Sequence, residues 1–214
     1  MKNLIIIGAG GFGREVMEIA LDIIEQKPET DWRIKGFITD IPGDFDEKDT
    51  LGYDIIGDIS NHKISPENVY TFAIADIPFK MKMTQKFLEQ GAEFVNIIHP
   101  SCVIGRTVKM GIGNIISSRV TITSNVRLGN FTRVGGGTSI AHDVTVGDYS
   151  TISGTCGING YAQVGKGVFM GSHTAICPHA VIGDFANIGA GSVVLRKVKA
   201  KTHVFGNPAK KIDF

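Results

Sequence analysis

Residues 134–164 read VGGGTSIAHDVTVGDYSTISGTCGINGYAQV, and within them Val134, Ile140, Val146, Ile152, Ile158 and Val164 stand six apart. Extending the count both ways gives seventeen anchors, from Ile98 to Val194, each aliphatic or Met and with no insertion. Four residues after each anchor, from Val108 to Val198, stands Val, Thr, Ser, Cys or Ala, and only Asn114 departs from this. Directly after the anchor stands Gly at 105, 111, 129, 135, 147, 165, 171, 183 and 189, which suggests turns needing permissive torsions.

A period of six fits neither an amphipathic helix nor a simple alternating strand. It fits short strands joined by tight turns, each sending one large apolar side chain inward beside a small one. Three such faces per coil make a triangular prism in which residues 18 apart stack. Seventeen anchors then wind between five and six coils, roughly 4.8 Å apart.

The first 97 residues follow another pattern. Leu4–Ile7 reads as a buried strand, followed by the glycine-rich Gly8-Ala9-Gly10-Gly11-Phe12-Gly13 and by Arg14–Glu25 with apolar residues at helical spacing. A strand over Ile34–Ile38, a polar stretch to about Pro66, a strand over Tyr70–Ala75, a helix over Pro78–Gln90 and a strand over Phe94–Ile98 complete a small parallel α/β sheet. His99-Pro100 marks the junction, so the expected domains are 1–97, a Rossmann-like unit, and 98–214, an all-β parallel helix with a C-terminal tail.

Composition agrees with this division. Of 214 residues, 43% are hydrophobic but only 8% aromatic and 20% charged, with 27 Gly against 7 Pro, which excludes disorder and, lacking a Gly-x-y period, collagen. Residues 1–97 hold 10 Lys/Arg against 17 Asp/Glu, whereas 98–214 hold 12 against 4, so the second half attracts anions. The scattered bases carry no nucleic-acid motif, and a small phosphate-bearing ligand fits better. Cys102, Cys156 and Cys177 form no C-x-x-C pair and leave an odd count, so the reading is a reducing, cytoplasmic setting. The apolar run at Leu4–Gly8 is too short to span a membrane.

Two features carry chemistry on their own terms. His142-Asp143 pairs an imidazole, whose ordinary pKa suits proton abstraction near neutrality, with a carboxylate able to hold the ring. Gly160 lies 18 residues beyond His142, one turn of the prism, where its N–H could stabilise a tetrahedral oxyanion. The Gly8-x-Gly10-x-x-Gly13 loop follows a strand and opens a helix, the context in which a backbone cradles a pyrophosphate. Asp40 ends the second strand 27 residues after Gly13, farther than a dinucleotide fold places its acid.

The hexapeptides, ending in Val204-Phe205-Gly206-Asn207-Pro208-Ala209-Lys210, resemble the left-handed parallel β-helix acyltransferases, and the left-handed winding is carried by that resemblance. The fused glycine-loop domain makes the whole chain similar to bacterial sugar acetyltransferases, among them nucleotide-linked amino-sugar N-acetyltransferases and sialic acid O-acetyltransferase-like proteins. The resemblance implies acetyl-CoA as donor, His142 as general base supported by Asp143, and Gly160 as oxyanion donor. It implies coenzyme contacts at Ser172 and Ala190 and near Thr151, where some relatives carry a second histidine. It also implies that Gly10, Gly11, Phe12, Asp40 and Ala75 hold the nucleotide of the sugar, and that the chain is a homotrimer with the donor between neighbouring helices. Gly135, where relatives often have Asn, is a second departure beside the acceptor. Lys166, Lys197, Lys199 and Lys210 are candidates for the coenzyme phosphates. Zinc-dependent carbonic anhydrases of the same helix class share three histidines between subunits, but His142, His173 and His179 fall into no obvious cluster, so no metal is expected; a metal-dependent lyase of that type and a non-catalytic solenoid are the alternative classes.

Overall fold

Each hexapeptide of the second half forms one two-residue strand ending on its anchor, as at Ser139–Ile140, Thr145–Val146 and Thr151–Ile152. A computed structural model describes residues 1–41 and 51–212, and two units, Met1–Pro100 and Ser101–Phe214, separate by their contacts.

In the second unit the strands pair in parallel at a spacing of 18 residues, for example Ser139↔Gly157 and Ile140↔Ile158. One face stacks Val103–Ile104, Thr121–Ile122, Ser139–Ile140, Gly157–Ile158, Ala175–Ile176 and Val193–Val194. A second runs from Lys109–Met110 through Thr145–Val146 to Lys197–Val198, and a third from Ile115–Ile116 through Thr151–Ile152 to His203–Phe205. The last coil is shorter, since Ile182 pairs with Val198 and Ile188 with Val204.

The anchors fill the prism. Ile116, Val134, Ile140, Ile152, Met170, Ile176 and Ile188 are completely buried, each contributing about 1.5–3 kcal/mol of transfer free energy. The small positions between them carry hydroxyls where the next coil needs a partner. Ser150 Oγ donates to Gly165 O at 2.8 Å and accepts from Val168 N at 3.0 Å, and Thr138 Oγ1 serves Ser153 O and Cys156 N likewise. Asn114, the one departure, does the same with an amide: Oδ1 accepts from Thr132 N at 2.8 Å and Thr132 Oγ1 at 2.7 Å, and Nδ2 donates to Gly111 O at 3.0 Å. Asn114→Ala is therefore expected to leave buried donors unmet and to cost about 2–4 kcal/mol in urea unfolding.

The glycines after the anchors are required for a reason other than the one their pattern suggests. The left-handed torsions fall two residues later, at Arg119, Asn125, Gly137, Asp143, Tyr149 and onward. A Cβ on Gly135 would instead lie 2.5 Å from Gly154 N, and one on Gly183 2.4 Å from Ala200 N. These glycines let successive coils approach at their corners.

The first unit is a parallel sheet of β1 (Lys2–Ile7), β2 (Trp32–Ile38), β3 (Ile55–Gly57) and β4 (Asn68–Phe72) in the order β3-β2-β1-β4, with α1 (Gly11–Gln26) and α2 (Ile77–Glu89). β3 lies inside the stretch read as merely polar. It is a three-residue edge strand with every residue exposed, so it shows no core pattern. The strand expected over Phe94–Ile98 is not continuous: Phe94 makes one parallel bridge to Tyr70, and Ile97–Ile98 is a separate strand. Leu4, Ile6, Ile7, Val16, Ala20, Phe37 and Ile38 form the completely buried centre of this unit.

Candidate active site

The chain turns between the first and second faces at Ser124-Asn125, His142-Asp143, Gly160-Tyr161 and Pro178-His179, one pair per coil. The second residue of each pair is left-handed, with φ of 59° at Asn125 and Asp143 and 61° at Tyr161 and His179. Backbone bonds tie the pairs into a column: Asp143 N donates to Ser124 O at 3.0 Å, Tyr161 N to His142 O at 3.1 Å and His179 N to Gly160 O at 3.0 Å.

His142 stands in this column with its side chain about half exposed, and its Nδ1 lies 2.9 Å from Asp143 Oδ2. With Asp143 ionised, Nδ1 carries the proton and donates, which leaves the Nε2 lone pair free to accept. The bond from His142, joined by the Asn125 amide at 3.2 Å and the Tyr161 hydroxyl, outweighs partial desolvation and holds the Asp143 carboxyl below its ordinary range. The imidazole packs directly over Gly160, where a Cβ would lie 2.7 Å from His142 Cε1 and 2.9 Å from Nε2. Among the described residues nothing accepts from Gly160 N–H. Beside Asp143 opens a cleft of about 530 Å³ lined by Thr107, Lys109, Asn125, Arg127 and Thr145.

Of the other expected residues, Ser172 and Ala190 stack one coil apart, with Gly154, at the corner between the third and first faces. Close approach governs this corner too, since a Cβ on Gly171 would lie 2.6 Å from Ala190 N. Thr151 lies on the third face, nearly buried, between Arg133 and Phe169 in register, and its hydroxyl has no partner. One chain therefore unites His142, Asp143 and Gly160 but leaves Thr151, Ser172 and Ala190 away from their corner. His173 belongs with Ser172, hydrogen-bonded by Thr155 Oγ1 at 3.0 Å, so the three histidines do not converge. No group of three or more metal-ligating side chains forms among the described residues.

Lys197, Lys199, Arg196 and Lys211 rim a cavity of about 570 Å³ at the end of the solenoid, floored by Val194, Val198 and Val204. Lys166 instead lies over the Tyr149 ring, 5.5 Å from its centroid.

In the first unit Ile7, Ile38 and Phe72 are in register, so the segments after β1, β2 and β4 leave one edge together. The chain steps from β1 to β2 on one side and reaches β4 on the other, which puts the switch point between β1 and β4. There Gly8, at φ 96°, lies so close to Ile74 that no side chain fits, and a Cβ on Gly13 would meet Gly8 O at 2.2 Å. Gly10 caps α1 without a side chain, and open space surrounds Gly10 and Gly11. Exposed Ala75 stands on the β4 side of this crevice, and Phe12 in the first turn of α1.

Asp40 is differently placed. Its Oδ1 accepts from Ile59 N at 2.7 Å and Ser60 N at 3.0 Å, and its Oδ2 from the Ser60 hydroxyl at 2.7 Å. Burial works to raise this carboxyl, but the Ser60 and Ile59 donors and the Lys86 charge outweigh it and leave it low. Its carboxylate anchors the turn after β3 and lines a separate hollow of about 630 Å³ with Thr39, Ile55 and Asp58.

Asn125 and Tyr161 were not among the expected site residues and His179 was weighed only as a metal ligand, although Asn125, Asp143, Tyr161 and His179 follow one another at intervals of 18 in the sequence.

Comparison with known proteins agrees with this fold. Residues 3–87 match the family described as the PglD N-terminal domain. The chain is 31% identical over 202 residues to a GDP-perosamine N-acetyltransferase of Escherichia coli O157:H7, covering 94% of this chain and 81% of that protein. Among solved structures it superposes on PerB from Caulobacter crescentus in complex with CoA and GDP-perosamine, with a TM-score of 0.86, 25% identity, and 100% and 98% of the two chains covered. The acetyltransferase domain of PglB from Neisseria gonorrhoeae, in complex with acetyl coenzyme A, shares the fold at a TM-score of 0.89 and 22% identity over 99% of each chain. An α/β unit joined to a parallel β-solenoid, with this relative along nearly its whole length, makes the chain a member of the hexapeptide-repeat sugar acetyltransferases, a family of acyltransferases.

Proposed function

We propose that the protein transfers the acetyl group of acetyl-CoA to the amine of a nucleotide-linked amino sugar. The observation that carries this reading is the imidazole of His142, held through Nδ1 by Asp143 and packed over Gly160 with Nε2 unengaged. The amine attacks the thioester carbonyl as His142 Nε2 takes its proton, so that a C–N bond forms and charge collects on the carbonyl oxygen. The Gly160 N–H stabilises that oxygen. Collapse breaks the C–S bond, and the departing coenzyme thiolate receives the proton from His142. The relatives that act on or bind GDP-perosamine support an amine acceptor over the hydroxyl of sialic acid.

The coenzyme would lie along the Ser172 and Ala190 corner, with its phosphates drawn to the basic rim at Lys197 and Lys199. Because that corner and the His142 corner are two different edges of one prism, a complete site needs a second copy, in keeping with a homotrimer. Domain 1–97 would hold the nucleotide at Gly10, Gly11, Phe12 and Ala75, with Asp40 shaping a neighbouring turn. No described helix is long and apolar enough to cross a membrane, and a reaction drawing on acetyl-CoA fits the cytoplasm.

The test is acetyl-CoA consumption against UDP-, dTDP- and GDP-linked amino sugars and free sialic acid, with product mass analysis. Coenzyme release with an amino sugar, giving a product one acetyl group heavier, is expected. Release with sialic acid alone, or with none of the panel, would overturn the reading.

A further inference from the structure

Tyr161 is a bulky side chain in a place that neither the fold nor the reaction above explains. Its φ of 61° is the torsion that the turn residue takes in coil after coil, aromatic Phe131, Tyr149 and Phe185 included, and at 49% exposed its ring is not held by core packing. Its ring stands edge-on to His142, with centroids 5.2 Å apart and planes at 85°. On the side of the next coil it lies flat on His179, at 4.9 Å and 2°.

We infer that Tyr161 is a positioning residue for the His142–Asp143 pair, its ring bracing the imidazole over Gly160. The inference rests on His142 being the base. Half exposed, the imidazole would otherwise be free to swing toward solvent, and Tyr161 blocks one side of that swing while Gly160 and Asp143 set the others. His179, stacked on the far side, keeps the Tyr161 ring from giving way.

Two substitutions separate the brace from the fold. Tyr161→Gly suits the left-handed backbone, so the fold is expected to keep or raise its Tm. Loss of the brace should lower kcat by about tenfold to a hundredfold, with KM for acetyl-CoA unchanged. Tyr161→Phe keeps the ring and is expected to retain kcat close to the wild type. His179→Ala, which removes the ring stacked behind Tyr161, should lower kcat by less than Tyr161→Gly.

Wild-type kcat in the Gly variant, or a Phe variant as impaired as the Gly variant, while His142→Ala is inactive, would remove the Tyr161 ring from its bracing role and leave the base in place. Full activity in His142→Ala would remove the base itself. Should the Gly variant fail to fold, Tyr161→Asn, which also suits this torsion, replaces it.

Discussion

His142→Ala is expected to lose about 10²–10⁴-fold in kcat while still binding acetyl-CoA, the range that removing a general base produces. The ring lies on the solvent side of its coil, about half exposed, and buries no part of the prism core. Its removal should therefore leave Tm nearly unchanged, and the loss would report chemistry rather than folding. Asp143→Asn sharpens the test. The carboxylate accepts from His142 Nδ1, which fixes the proton there and leaves Nε2 as the base. An amide at this position can turn its NH₂ toward Nδ1 and stabilise the opposite tautomer, with the proton on Nε2 where the lone pair is needed. The Asn variant should therefore be impaired beyond the loss of one charge, with a deficit persisting at high pH where a merely weakened base would recover. Coenzyme release read with a thiol reagent, alongside calorimetric binding of acetyl-CoA, separates these effects. Full turnover by His142→Ala would leave the geometry at this corner without a catalytic meaning.

Much of this arrangement is visible in spacing alone. Anchors six apart define the faces, and Gly160 standing 18 beyond His142 foretells a stacking so close that a Cβ on Gly160 would lie 2.7 Å from His142 Cε1. The same arithmetic leads from Asp143 to Asn125, Tyr161 and His179, but Asn125 and Tyr161 announce no chemistry, and His179 only that of a metal ligand, until the rings are seen to touch. The glycines after the anchors are legible as a pattern and misleading as a mechanism. A missing Cβ serves torsional freedom and close approach equally well, and only the distances between coils tell them apart. Asp40 is a similar case: its position at the end of β2 is readable, whereas the Ser60 and Ile59 donors that occupy its carboxylate come from the turn after β3, an edge strand with no hydrophobic signature. The donor corner at Ser172 and Ala190 follows from resemblance, and its separation from His142 becomes visible only when the faces are assigned.

Gly160→Ala is expected to reduce kcat by about 100-fold while keeping the fold, because the added methyl group and the imidazole cannot occupy the same space. The new Cβ would lie 2.7 Å from His142 Cε1, 2.9 Å from Nε2 and 3.3 Å from Nδ1, closer than side-chain carbons approach. Gly160 is not among the residues of positive φ, so the backbone accepts alanine without strain. The group that must yield is the half-exposed ring, which can rotate outward at little cost in stability. It then leaves Asp143 or leaves the acceptor, and an ångström of displacement at a base is enough to account for the loss. Alanine keeps its N–H, so the oxyanion donor survives and the deficit measures the position of the imidazole. Gly157→Ala is the matched control on the same coil, since its Cβ would meet nothing nearer than Ser139 Oγ at 4.0 Å. Comparable kcat in the two alanine variants would mean that His142 does not act from the place it occupies over Gly160. A selective loss at Gly160 with unchanged Tm ties the reaction to that contact.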